Sequence, residues 1–180
     1  MRKITKTIKI CHFDELNEEA KERAINNERE VTLDYEWWKW ILEDLVEQCA
    51  KLGVKFEVDD VRFDLCRGGY CYVLSDDLSF DWQSEVNLPA KFGAYQNYMG
   101  GGINGQIQSE EVDESRITER APYERADIII NKLNSCYAIF EDTLERLWKE
   151  YTEIQTDEYL IDIIKGNDFE YTEEGEMYNG

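Results

Sequence analysis

Between Ile130 and Tyr151 seven apolar residues, Ile130, Leu133, Tyr137, Phe140, Leu144, Leu147 and Tyr151, step by 3, 4, 3, 4, 3 and 4. An α-helix returns a side chain to the same face at that spacing, so the pattern predicts one continuous helix with a single apolar seam. Pro122 is tolerated in a first turn, where its missing N–H would have no partner anyway. A helix of about 30 residues starting there is about 45 Å long and must lay its seam against something. A second copy of the chain would serve as well as a sheet or another helix, so the seam leaves a homodimer open.

Shorter elements are expected to cover that seam. "ITKTIKICHF", Ile4 to Phe13, alternates Ile4, Ile8 and Ile10 with polar residues, as a half-buried strand does. Asn17 is placed to cap a first helix running to about Asn27, with Glu18 and Glu19 where the helix dipole favours negative charge. Tyr35, Trp38, Leu42, Leu45, Cys49 and Leu52 then form a second seam stepping 3, 4, 3, 4 and 3, closed by Gly53. "VKFEVDDVRFDL" and "YCYVLSDDLSFDW" read as two strands of an antiparallel hairpin about the turn at Arg67 to Gly69. Glu85 to Thr118 has little periodicity. It holds Pro89 and "GGGINGQ" from Gly100, which matches no phosphate-binding glycine pattern, and is expected to be loop-rich. After the long helix, Thr156 should cap a short helix closed by Gly166, and "FEY" and "EMY" should flank "TEEG", Thr172 to Gly175, as a small hairpin.

The fold class that follows is α+β: a small antiparallel sheet packed on amphipathic helices, one of them long, with a short terminal helix and β-hairpin. The division expected is an N-terminal α+β part over 1–84, a loop-rich, mobile segment over 85–121, and the long helix with an acidic helix-hairpin end over 122–180, within one domain overall. No apolar run approaches the roughly 18 residues of a membrane span, and the first ten residues lack the apolar block of a signal peptide. Five irregularly spaced cysteines suit reduced thiols in a cytosolic protein better than a disulfide framework. A zinc site from Cys66, Cys71, Cys11 and His12 is disfavoured because adjacent strand residues point to opposite faces. By the same geometry His12 has no nucleophile beside it, and neither a cofactor nor a catalytic role is expected.

Charge narrows the partners. Forty acidic against twenty basic residues leave a net −20, which repels nucleic acid and anionic membranes and favours basic proteins. The chain is also polarised: its first ten residues hold Arg2, Lys3, Lys6 and Lys9 without an acid, while its last thirty hold nine acids and only Lys165. Within "DYEWWKW" the second seam takes Trp38, and Trp40 lies about 200° further round the helix. Its helical neighbours would be Glu36, Trp37, Glu43 and Asp44, with Glu47 one turn beyond. An indole face ringed by carboxylates suits a partner's arginine or lysine, and with Glu170, Glu173, Glu174 and Glu176 of the terminal hairpin these residues form the candidate partner-binding set. Set against this is the plainer arrangement in which Trp37 and Trp40 pack under the long helix and the acids face water.

"FDELNEEAKERAINNER", the "DYEWWKWILEDL" helix leading into "GVKFEVDDVRFDL", and the closing "DEYLIDIIKGNDFEYTEEGEMYN" resemble a family of small phage and mobile-element proteins often labelled antitoxin of a toxin–antitoxin stability system. The resemblance covers roughly residues 10 to 65 and 157 to 179. It departs where members carry a Trp-Ser-Gln-Gly-Asp-Gly-Ala type of turn and this chain has "CRGGYCYV", so any role of that turn does not carry over. The resemblance implies a phage setting and an inhibitory role, and it offers no catalytic residues to carry over; the cytoplasm of a bacterial host cell is the expected location. Together with the charge it leads to an expected function: an acidic inhibitor that blocks a basic, nucleic-acid-handling host defence protein, as anti-CRISPR or antirestriction proteins and DNA mimics do, without turnover. An antitoxin wrapping a basic toxin is the alternative, and a small-ligand sponge or enzyme the third.

Overall fold

The computed structural model describes residues 7–66, 68–96, 107–110 and 112–178. In chain order it contains β1 (Ile10–His12), α1 (Glu18–Asp34), α2 (Lys39–Lys51), β2 (Arg62–Asp64), β3 (Tyr70–Leu74), β4 (Lys91–Gln96), β5 (Ile107–Ser109), α3 (Tyr123–Glu153), α4 (Asp157–Gly166) and β6 (Glu170–Thr172), with short 3-10 turns between them. The protein is α+β, with two antiparallel sheets. Two compact units divide it: Met1–Trp37 with Glu150–Gly180, and Trp38–Lys149. Among the described residues no helix is long and apolar enough to cross a membrane.

In the first unit β1 and β6 pair antiparallel, with Cys11 opposite Tyr171 and His12 opposite Glu170. Asn17 caps α1 by accepting the Ala20 N–H at 2.9 Å, as its position predicts. Thr156 caps α4 in the same way, accepting from Tyr159. Ala20 and Ala24 of α1, Ile164 of α4, and Cys11, Phe13, Leu16 and Tyr171 form the core. The terminal hairpin closes as expected, with the Thr172 N–H bonded to the Glu176 carbonyl at 2.8 Å and the Gly175 N–H to the Thr172 carbonyl at 2.9 Å.

The strand expected over Ile4 to Phe13 is shorter and faces the other way. Ile8 and Ile10 are 47% and 39% exposed, whereas Cys11 and Phe13 are buried. The buried stripe of period two is therefore the odd one, selected by Tyr171 across the ladder; Ile4 lies outside the described residues. Helix α1 runs on past Asn27 to Asp34, because no breaker intervenes and its stripe Ala20, Ala24 continues at the helical spacing to Glu28.

Glu28 is 6% exposed, and this burial pushes its carboxyl above the usual carboxylate range. The nearby Tyr171 phenol, also buried, is pushed up to about 12 by burial first and by Glu28 second, and its hydroxyl has no hydrogen-bond partner among the described residues. A raised carboxyl pKa in the folded state means that Glu28 favours folding most below its ordinary value and loses that advantage as pH rises through the folded value. Glu28→Gln should therefore raise the melting temperature at neutral pH, with the gap closing towards pH 4. Melting curves across that range check it, and a gap that widens on acidification would contradict the assignment.

In the second unit the sheet order is β2-β3-β4-β5, antiparallel throughout. The β2–β3 pairing, Phe63 opposite Cys71, realises the hairpin expected about Arg67 to Gly69; its strands are shorter than predicted because Val58–Asp60 and Ser75–Asp77 form 3-10 turns. The loop-rich reading of Glu85 to Thr118 is corrected here: it contains β4 and β5. Phe92 and Ala94 alternate inward as a strand requires, but Pro89 and Gly93 break up the β signal in the sequence. Gly93 is needed by close approach, since a Cβ there would lie 2.2 Å from the Cys71 carbonyl oxygen. Beyond β5 the chain is held to α3 by Asn134, which accepts the Val112 N–H at 2.8 Å and donates to its carbonyl at 3.1 Å. Gly100 to Gly102 lie outside the described residues.

Helix α3, with 31 residues from Tyr123, agrees with the helix of about 30 residues expected from Pro122. Leu133, Tyr137, Phe140, Leu144 and Leu147 of its seam are buried, and Ile129 is buried in place of Ile130. Phe140 stands at the centre, stacked with Phe56 and edge-on to Phe92, each at 5.8 Å between ring centroids. Helix α2 adds Ile41, Leu42, Leu45 and Cys49. The second helix was expected to start at Tyr35 and does not. Tyr35 has extended backbone (ψ 151°), terminates α1 and is 75% exposed, so the seam begins only at Trp38, the residue before α2.

Candidate partner-binding surfaces

The three clustered tryptophans do not share a helix. Trp37 belongs to the first unit, in the link after α1; it is half-buried and its ring lies 5.8 Å from Tyr151. Glu36 beside it is exposed. Trp38 and Trp40 belong to the second unit. Trp38 packs on Phe63 at 5.7 Å, and Trp40 is 52% exposed on the first turn of α2.

Trp40 carries the kind of contact expected for it, but the cation comes from its own chain. The Arg146 guanidinium of α3 lies 5.2 Å from the Trp40 ring centroid and pairs with Asp44, which also accepts from the Gln48 amide at 2.8 Å. Arg146 is additionally 3.7 Å from Asp142, one turn earlier on α3. The guanidinium first, and then the Gln48 amide, hold the Asp44 carboxyl below the usual carboxylate range. The arrangement joins an indole, a guanidinium and carboxylates in one half-buried cluster, beside which Trp40 and Glu43 are exposed. Glu47, one turn on, pairs with Lys51 at 2.8 Å. Arg146 was missed because its place in "EDTLERLW" carries no local signal that it meets Trp40.

The hairpin acids are a separate group in the first unit. Glu170, Glu173, Glu174 and Glu176 are all exposed. Glu173 pairs with Lys9 at 2.7 Å, and the Glu174 carbonyl accepts from Arg23 at 2.8 Å.

His12 is exposed, with Nδ1 3.4 Å from Asp168, while its neighbour Cys11 is buried on the opposite face. Among the described residues no three His, Cys, Asp or Glu side chains gather in a way that could hold a metal ion. All five cysteines are free thiols, and only Cys66 is exposed. A hydrogen bond with Cys136, and then burial, push the Cys49 thiol upward; burial does the same to Cys71. In native protein a disulfide-exchange reagent should reach the exposed Cys66 first and the other four thiols only on unfolding. Rapid reaction of two or more would place the buried cysteines wrongly.

No family model, no curated protein and no solved structure matches the chain significantly.

Proposed function

We propose that this protein is an acidic inhibitor of phage type that binds a basic, nucleic-acid-handling host defence protein and occupies its nucleic-acid groove without turnover. The observation that carries the reading is the excess of forty acids over twenty bases, with Glu36, Glu43, Glu47 and all four hairpin glutamates at the surface. Duplex DNA presents one charge per about 1.7 Å of axis, and a rigid acidic body competes for the Lys/Arg groove that would neutralise it. Exposed aromatic residues such as Trp40 supply what charge lacks, an anchor that holds once water is excluded. The phage setting rests on the resemblance described for residues 10 to 65 and 157 to 179.

The test is capture from a nuclease-treated bacterial lysate, followed by purification of the captured protein and a DNA-displacement titration. The partner should be basic and should release duplex DNA as the inhibitor is added, less so as salt shortens the range of the charges. Trp40→Ala combined with Glu43→Lys should weaken the complex by about 30-fold, the equivalent of about 2 kcal/mol. Micromolar binding of duplex DNA by the protein itself at about 150 mM salt, or a partner that keeps its DNA, would sink the proposal.

A further inference from the structure

The first unit carries an open groove of about 840 Å³ along α1 and α4, lined by residues to which the charge argument assigned no role. Its floor is apolar: Phe13, from the turn after β1, with Ile25 of α1 and Ile161 of α4, both only partly buried. Its remaining lining is charged or polar. Small-molecule pockets are predominantly apolar with few polar groups, whereas a short apolar strip inside a charged rim is the anatomy of a protein interface.

The rim has a definite sign. Lys21, Arg29 and Lys165 are its cations, and each is already paired within the unit: Lys21 with Glu18 at 3.2 Å, Arg29 with Asp157, and Lys165 with Asp14 at 2.7 Å. Lys165 also lies over the Phe13 ring, 5.9 Å from its centroid, and so forms part of the floor. Glu19 pairs with the exposed Arg23, at 3.6 Å. Glu22 is exposed and, among the described residues, unneutralised; it stands on the stripe Glu18, Glu22, Ile25 and Arg29, whose steps of four, three and four keep one face of α1.

We infer that this groove docks an amphipathic helix of a basic partner protein, its apolar side chains seated on Phe13, Ile25 and Ile161 and an arginine or lysine reaching Glu22. Helices bind grooves in this way through anchors at i, i+3, i+4 and i+7. The cations of the rim are neutralised and its surplus charge is acidic, which selects a basic occupant; a second copy of a chain of net charge −20 is disfavoured by repulsion. The inference rests on the inhibitor reading and deepens it, since it gives the basic partner a place to seat a helix.

The probe is a synthetic helical peptide of about five turns, with leucines at the anchor positions and arginines on the flanks, titrated into isotope-labelled full-length protein. A control peptide carries glutamates in place of the arginines. Backbone amide shifts should concentrate at Phe13, Glu22, Ile25 and Ile161 with the basic peptide and be absent with the acidic one. Glu22→Lys, an exposed change that leaves the floor intact, should weaken binding about tenfold. Equal binding of both peptides, binding of neither, shifts centred elsewhere, or an unchanged affinity in Glu22→Lys would overturn the inference. So would groove signals that move with protein concentration alone, which would assign the face to a second copy. The titration uses neither nucleic acid nor a host protein, so a negative result removes the groove and leaves blockade standing. Failure of DNA displacement alongside a positive titration removes blockade instead.

Discussion

Phe140→Ala should destabilise the protein by about 3 to 5 kcal/mol, the range for removing a fully buried aromatic ring. Phe140 has no solvent exposure and touches both sides of the core: Phe56 and Phe92 each lie 5.8 Å away, ring to ring. The loss therefore has two parts, the apolar surface no longer buried and the cavity left between rings that cannot all close in. Urea unfolding measures it. Phe140→Leu, which keeps most of the volume, should cost no more than about 1.5 kcal/mol, and an alanine variant as stable as the leucine one would mean that the centre of the α3 seam is not the centre of the core.

Gly175→Ala is expected to rival that loss although it adds a single methyl group to the surface hairpin. Gly175 has φ +83°, and a Cβ there would lie 2.2 Å from the Ala20 carbonyl oxygen and 2.9 Å from its carbon. Backbone strain alone costs about 1 to 3 kcal/mol, and relieving the collision requires moving either the hairpin or the first turn of α1. Gly166→Ala makes the comparison sharp. That position closes α4 with nothing within 4 Å of an added Cβ, so the change should be neutral or stabilising by up to about 1 kcal/mol. Thermal unfolding of the two variants should separate them clearly, and equal melting temperatures would show that the hairpin does not pack on α1 as described.

The residues behind these expectations were legible to different degrees. Helix α3 could be read directly, because a 3.6-residue repeat sustained over six turns has no competing interpretation as strand or loop. The caps at Asn17 and Thr156, and the terminal turn at Gly175, were legible for a related reason: each is satisfied by backbone groups a few residues away. Glu28 was not. It occupies the core stripe of α1 after two alanines, and a charged residue in a run of charged residues looks like surface until β6 brings Tyr171 against it. The stripe Tyr35, Trp38, Leu42 does not mark one helix, since a helical spacing can run across the end of one helix into the next when apolar residues happen to fall in step on both sides.

The Trp40 cluster divides along the same line. That Trp40 stands apart from the apolar seam and near Asp44 follows from helical geometry, and local spacing was enough to establish it. That a guanidinium already lies against the ring was decided elsewhere, by Arg146, 102 residues away from Asp44 in the chain. The sequence by itself determined the charge, the long helix, the capped ends and the terminal hairpin, because each depends on residues within a few positions of one another. Only the tertiary structure decided which face of β1 is buried, that Glu85 to Thr118 adds two strands to the sheet, and which cation meets Trp40. Those outcomes depend on pairings between distant segments, whose free energy is realised only after the chain has closed the loops between them.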